Sequence, residues 1–220
     1  MEFQQLLYDG TNKFRELKTS VGFDSNESNL VLVFGQRTIL ERYLPYAQVK
    51  ASFPNAEIVI CSSSGQISNQ CLIPEEIVIT AISFDKTIIK TSSIDVLANN
   101  SVENLGKEIK NNLVTTELKS LLVLSEGTFI NGTELINELI KQTESKIPIF
   151  GGLAGDEYSF EKTIVGLNSD ASSGKIVLVG FYGNNVHFGY STKGGWSDFG
   201  PEREVTQSEK NVLYKIGDRY

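Results

Sequence analysis

Four short runs of this chain are apolar almost without a break: NLVLVFG at 29–35, AEIVICSSSG at 56–65, SLLVLSEG at 120–127 and GKIVLVGFYG at 174–183. A strand with one wet face alternates apolar and polar residues, whereas an unbroken apolar run is covered on both faces. These runs therefore predict buried strands with layers packed above and below them, and they point to an α/β fold. A further stretch, IPIFGGLAGDEYSF at 147–160, begins the same way and then gives out into glycines, small residues and carboxylates.

Between the runs the periodicity changes. Residues 38–51 predict a helix that Pro45 kinks or restarts, and 101–113 predicts a second, with Ser101 as N-cap and Val102, Leu105 and Ile109 on one face. A third spans 131–142, with Leu135, Ile136, Leu139 and Ile140 along one side. Phe3, Leu6, Leu7, Phe14 and Leu17 suit a helical start over 3–18, interrupted near Asp9-Gly10. Residues 75–84 and 86–93 read as a hairpin around Asp85-Lys86, and 174–183 with 185–194 as a hairpin at Gly183-Asn184.

The order strand, helix, strand with a small-residue end, hairpin thus occurs twice, in halves near 25–95 and 115–200. The expectation is one α/β domain over 1–220 with a mixed sheet, built from two pseudo-repeated halves that share a core. Coincidence is the competing reading, because α/β chains often repeat such units.

Composition narrows the function. The net charge is −7, so the basic face of a nucleic-acid binder is not expected. No apolar run approaches the roughly 18 residues of a membrane-spanning helix, and 1–22 lacks a secretory h-region. The two cysteines, Cys61 and Cys71, are too few for a disulfide scaffold, and a cytoplasmic location is the expectation. His187 is the sole histidine, which excludes a site needing two.

The small-residue ends CSSSG at 61–65 and FGGLAGD at 150–156 occupy equivalent places in the two halves. Small side chains leave backbone N–H groups free and let a ligand or another backbone approach closely. In open α/β sheets ligands bind beyond the carboxyl ends of the strands. A pocket between the halves would draw on Ser62, Ser63, Ser64 and Gly65 from one end, and Gly151, Gly152, Ala154, Gly155 and Asp156 from the other. Close packing of the halves explains the same residues equally well. Neither stretch matches a phosphate-binding loop.

Several motifs resemble one family. VLSEGTFINGTEL at 123–135 is similar to the leucine-rich strand and S-D-G-x-x-x-N-G-x-x-L of FIST domains, and IPIFGGLAGDEYSF to their P-V-x-G-G-L-A-G-D-x-x-x-F. VICSSSGQI at 59–67 resembles G-C-S-x-x-G-E-I. Residues 179–216 resemble the tail G-x-Y-G, G-G-W-x-x-F-G-P and V-T-x-S-x-x-N-V-L-Y. Together these motifs span 29–220. Two departures change charge or reach: Glu126 stands at the S-D-G aspartate and Gln66 at the G-E-I glutamate.

The resemblance implies an N-terminal FIST domain, with the FIST C-terminal part that usually follows absent. It implies an intracellular sensory module of bacterial signal-transduction proteins, alongside histidine kinases, chemotaxis transducers and cyclic-di-GMP enzymes. Gly127, Asn131 and Trp196 join the ligand-binding candidates as motif residues, although Asn131 also reads as a helix N-cap and Trp196, Phe199 and Pro201 as packing. One branch of the family binds haem and senses nitric oxide, and the GGW-x-x-FGP tail is similar to it. On that reading His187, or else Tyr190, supplies the axial ligand. The other reading is an exposed or hydrogen-bonded strand histidine, facing opposite to Val186 and Phe188, and a packing tyrosine.

Asp156 and Glu157 suit either an ammonium group or a solvated turn, and Cys61 a buried core position. The leading expectation is a sensor that holds a small polar, amino-acid-like metabolite in a cleft between the halves. Haem sensing is one alternative, a hydrolase with a nucleophile among Ser62–Ser64 another, and a ligand-free scaffold a third.

Overall fold

The chain opens with two strands, β1 (Glu2–Tyr8) and β2 (Phe14–Thr19), then enters β3 (Leu30–Gly35). Helices α1 (Arg37–Tyr43) and α2 (Tyr46–Ser52) follow, then β4 (Glu57–Ser62), the short strands β5 (Gln66–Ser68) and β6 (Cys71–Ile73), β7 (Ile77–Ser83) and β8 (Ile88–Asp95). Helix α3 (Val102–Leu113) leads to β9 (Leu118–Ser125), α4 (Gly132–Gln142), β10 (Ile149–Leu153), β11 (Val165–Leu167) and β12 (Lys175–Tyr182). The last elements are β13 (Val205–Glu209) and β14 (Val212–Ile216). This computed structural model describes residues 1–10, 13–68, 71–73, 75–96, 102–144, 146–189, 191, 197–209 and 212–217.

Met1–Phe188 forms one compact unit and Gly189–Tyr220 a second. In the first, a six-stranded sheet runs β11-β4-β3-β7-β1-β2 and a four-stranded sheet runs β10-β9-β12-β8. Both are mixed, as expected: β3 is parallel to β4 and antiparallel to β7, and β9 is parallel to β10 and antiparallel to β12. A right-handed strand–helix–strand crossover is the usual way to connect such parallel neighbours, and α1–α2 and α4 fill that place in the two sheets.

The unbroken apolar runs are explained by what covers them. Alternate residues of one strand go to opposite sides. Val31 and Val33 of β3 and Ile58 and Ile60 of β4 pack with Leu40 of α1 and Val49 of α2. Leu30, Val59 and Cys61 face the other way and meet Leu122, Leu124, Val177 and Val179 of the second sheet. On that sheet's far side, Leu121, Val123, Ile176 and Leu178 pack with Ile109 and Leu113 of α3 and Leu135 and Leu139 of α4. The unit is therefore layered helix, sheet, sheet, helix, with a dry core between the sheets and another under each helix pair.

Three expectations need correction. Residues 3–18 form a hairpin, not a helix: Leu6, Leu7 and Tyr8 are buried consecutively, and Tyr8 pairs with Phe14. A helix would put three successive residues on different faces, whereas here β1 is an interior strand with a neighbour on each side. Second, β7 and β8 do not pair. Both edges of β7 are taken, by β3 and β1, so β8 crosses to the second sheet and pairs with β12. Third, among the described residues 185–189 and 191 make no strand, so β12 is not followed by the expected hairpin. The strand–helix–strand portion is common to both sheets, but the hairpin-ended halves are not the arrangement present.

The helix expectations fare better. Leu44 ends α1 in the left-handed region (φ 43°) and Pro45 starts α2, so Pro45 restarts the helix. The Asn131 side chain caps α4 by accepting from the Thr133 and Glu134 N–H groups (3.0 and 3.2 Å). The Ser101 cap and the side chains of Val102 and Leu105 lie outside the described residues. In the second unit β13 and β14 make an antiparallel hairpin in which Val205, Leu213 and Tyr214 are about half exposed.

Candidate functional site

The two small-residue ends do meet, and they meet by contact. The Gly155 N–H donates to the Ser62 carbonyl (3.0 Å), and the Ser63 N–H to Gly35 O (3.0 Å). Ser62 is fully buried and exchanges two bonds with Ile164: its N–H donates to the Ile164 carbonyl (2.9 Å), and its Oγ accepts from the Ile164 N–H (3.1 Å). A Cβ on Gly155 would lie 2.4 Å from Ser64 Oγ and 2.7 Å from Ser64 N. Alongside, Ala154 N–H donates to Ser125 O (2.7 Å) and Gly127 N–H to Thr163 Oγ1 (2.7 Å). At this junction, bare backbone lets the carboxyl ends of β4 and β10 approach to hydrogen-bonding distance. No open cleft separates them there, so close packing is the role their geometry displays.

The same junction is tied by charge. Arg37 Nε donates to Asp156 Oδ1 (2.7 Å), and Asp156 Oδ2 accepts from the Glu161 and Lys162 N–H groups (3.0 Å each). Arg37 Nη1 reaches Glu41 (3.1 Å), and Lys162 Nζ reaches the other Glu41 oxygen (2.6 Å). The Asp156 side chain is only 6% exposed. Burial pushes its carboxyl up, but the Arg37 guanidinium and the two backbone N–H groups outweigh this and hold its pKa below the ordinary carboxylate value. Hydrogen bonding to Asp156 in turn raises the Arg37 pKa, and Lys162 lowers that of Glu41. With both its oxygens committed, Asp156 is a poor candidate to hold a ligand's ammonium.

Gln66, which stands where the family motif has glutamate, is buried at the end of the CSSSG segment. In the orientation that satisfies its neighbours, its amide oxygen accepts from the Gln36 N–H (2.8 Å) and Ser63 Oγ (3.2 Å), and its nitrogen donates to Ile73 O (2.6 Å). An ionised glutamate has no proton to give that carbonyl.

The cavity that shares the glycine-rich stretch lies on the helix side of the four-stranded sheet. About 240 Å³ in volume, it sits between α4 and strands β9 and β10, with Val123, Ser125, Leu135, Leu139, Gly151 and Gly152 among its walls. Its lining is mainly apolar. Strand β10 is an edge strand, paired on one side with β9, and Gly151, Gly152 and Leu153 are exposed along it. Gly151 has φ +134°, and a Cβ there would lie 1.9 Å from Val123 O, whereas a Cβ on Gly152 would meet nothing within 4 Å. Glycine at 151 is required by the backbone; glycine at 152 leaves open space.

Glu126 follows the end of β9, one residue past Ser125 of the cavity wall. It is fully buried, and its Oε1 accepts from the N–H groups of Phe129 and Ile130 (2.5 and 3.1 Å).

The haem candidates separate from this region. Val186 and Phe188 turn into the inter-sheet core, with the Phe188 ring centroid 4.8 Å from that of Phe181. His187 faces outward and is exposed, opposite to its two neighbours, although no strand forms there. It borders two shallow depressions, with Lys86 beside one and Lys119 beside the other. Haem needs an enclosed apolar slot around its axial ligand, and the described residues around His187 do not form one. Tyr190 and Trp196 lie outside the described residues, and Phe199 is fully exposed.

Ser62 Oγ accepts from backbone, and among the described residues no hydroxyl of 62–64 bonds a carboxylate or imidazole, as an activated serine nucleophile would. Cys61 is buried, which pushes its thiol up to about 12 and leaves it protonated. No cluster of His, Cys, Asp or Glu among the described residues suits a metal ion, and no described helix is long and apolar enough to cross a membrane.

Sequence reasoning missed Arg37, Thr163 and Lys162, whose roles depend on partners far along the chain. It also missed the cavity beneath α4, whose signal was present in the spacing of Leu135, Ile136 and Leu139 beside two glycines. Compared with known families, residues 29–219 match the model described as the FIST N domain. No curated protein matches the chain.

Proposed function

Because the chain belongs to the FIST N domain family, a family of sensory domains, we propose that it senses a small molecule inside the cell and passes the signal to an output partner. The observation that carries this reading is the cavity between α4 and the β9–β10 edge. It lies toward the carboxyl ends of two parallel strands, where α/β sheets commonly receive ligands. At about 240 Å³ it falls short of the roughly 300 Å³ at which pockets for drug-sized ligands begin. The volume suits a compact metabolite of amino-acid size and is too small for haem. The apolar walls favour a ligand with an aliphatic or aromatic portion, held by a polar group at one end.

The mechanism is a shift of populations. A ligand wedged beneath α4 favours whichever placement of the helix the occupied cavity requires, and an output partner that distinguishes the two placements reads the change. The partners consistent with the family resemblance are a histidine kinase, a chemotaxis transducer or a cyclic-di-GMP enzyme in the cytoplasm.

The test is a thermal-shift screen of amino acids and related amines against the wild type and Ile136→Phe, which fills the cavity from α4. The expected result is one or more compounds that raise Tm in the wild type and fail to do so in the filled variant. Compounds that stabilise both proteins equally would place binding elsewhere, and the absence of any stabilising compound would count against the sensory cavity.

A further inference from the structure

Neither the fold nor the cavity's apolar walls explain Glu126. Its side chain is entirely buried, yet Oε2 has no hydrogen-bond partner among the described residues. No described cation pairs with it. Buried polar atoms are nearly always partnered, and an ionised oxygen is the most costly to leave unmet. The other buried oxygens without partners, on Ser28, Ser68 and Ser83, are neutral hydroxyls, for which the deficit is smaller.

Glu126 does not itself line the cavity, but it follows Ser125, and the loop 127–131 that it anchors leads into Gly132; both Ser125 and Gly132 do line it. The anchoring uses Oε1 alone, which leaves Oε2 for something the described residues do not supply. The loop's outer side is open, with Phe129 61% exposed.

We infer that Glu126 is the ligand-binding carboxylate of this sensory site, with Oε2 accepting from the cationic nitrogen of a small amine whose apolar part occupies the cavity beneath α4. This rests on the cavity reading above and names its ligand class: a primary amine or amino acid with an apolar tail. Binding must displace part of the loop 127–131, which couples the charge-reading step to the start of α4. It also assigns to Glu126 the role that Asp156, held by Arg37, cannot fill.

The experiment compares n-butylamine, L-leucine and butyrate against the wild type, Glu126→Gln and Ile136→Phe. In the wild type the two amines are expected to raise Tm by about 5 °C near saturation, and butyrate is not. Glu126→Gln keeps an acceptor for the Phe129 and Ile130 N–H groups, so it is expected to fold and to bind the amines about tenfold more weakly or worse. Carbon-detected NMR of the wild-type Glu126 carboxyl gives a readout independent of any variant: butylamine should move that resonance and butyrate should not. An unmoved resonance, or equal amine affinity in Glu126→Gln, overturns the assignment. Butyrate binding that Ile136→Phe abolishes, with the Glu126 resonance unmoved, would sink the amine assignment and leave the cavity standing. Amine binding lost in Glu126→Gln but retained in Ile136→Phe would do the reverse.

Discussion

Arg37 Nε donates to Asp156 Oδ1 across 2.7 Å although the two residues are 119 positions apart. One opens α1 just after β3; the other follows β10. The pair joins the carboxyl ends of parallel strands from the two sheets, and removing either partner leaves a largely buried charge without its counterpart. Asp156→Asn is expected to destabilise the protein by about 3 kcal/mol, measured by urea unfolding, with less additional loss when Arg37→Met is added. The pH dependence has a definite sign. The Asp156 pKa is lower in the folded than in the unfolded chain, so its contribution is present above the ordinary carboxylate value of about 4 and is lost as pH falls through the folded-state value. Stability of the wild type should therefore fall below about pH 4 more steeply than that of Asp156→Asn.

Gly151 and Gly152 are adjacent but differ in what they tolerate. Gly151→Ala would drive a Cβ into Val123 O at a positive φ, and a loss of about 2 kcal/mol or more is expected. Gly152→Ala meets open space and should change stability by no more than about 0.5 kcal/mol. Equal costs in thermal unfolding would contradict the backbone geometry of β10.

Gln66→Glu tests whether the departure from the family motif is tied to its surroundings. The amide nitrogen serves Ile73 O at 2.6 Å, and an ionised carboxylate would oppose that carbonyl oxygen with like charge. A loss of about 2 kcal/mol is expected near neutral pH, shrinking in acid as the introduced carboxyl gains a proton.

For haem, the exposure of His187 makes a simple forecast. Haemin added to the wild type and to His187→Ala should give the same broad absorption spectrum. A sharp Soret band with one equivalent bound, lost in the variant, would restore the haem reading.

What the sequence made legible was local. The continuous apolar runs marked β3, β4, β9 and β12 because each is covered on both faces, and Asn131 declared the start of α4 because its side chain bonds within the next turn. Long-range pairing was not legible. Asp85-Lys86 suits a hairpin turn, and nothing nearby shows that β1 already occupies the edge of β7 that β8 would need. Phe3, Leu6 and Leu7 fit a helix face as well as a strand. The small residues at 61–65 and 150–156 announced a close approach, but their spacing does not distinguish another backbone from a ligand; the Gly155–Ser62 bond does. Asp156 looked available because Arg37 is remote in sequence. Glu126 stood out by its departure from the family motif, but its burial and unmet oxygen depend on how the loop 127–131 folds back.

A small ligand in the cavity between α4 and β10 would disturb the methyl groups of its walls. Methyl NMR of the isoleucine- and leucine-labelled wild type, recorded with and without a compound that raises Tm, reads this. Resonances of Leu135, Ile136, Leu139 and Ile149 are expected to move while those of Ile58 and Ile60, beneath the opposite helices, stay in place. Shifts confined to other residues, with the methyls of α4 undisturbed, would contradict it.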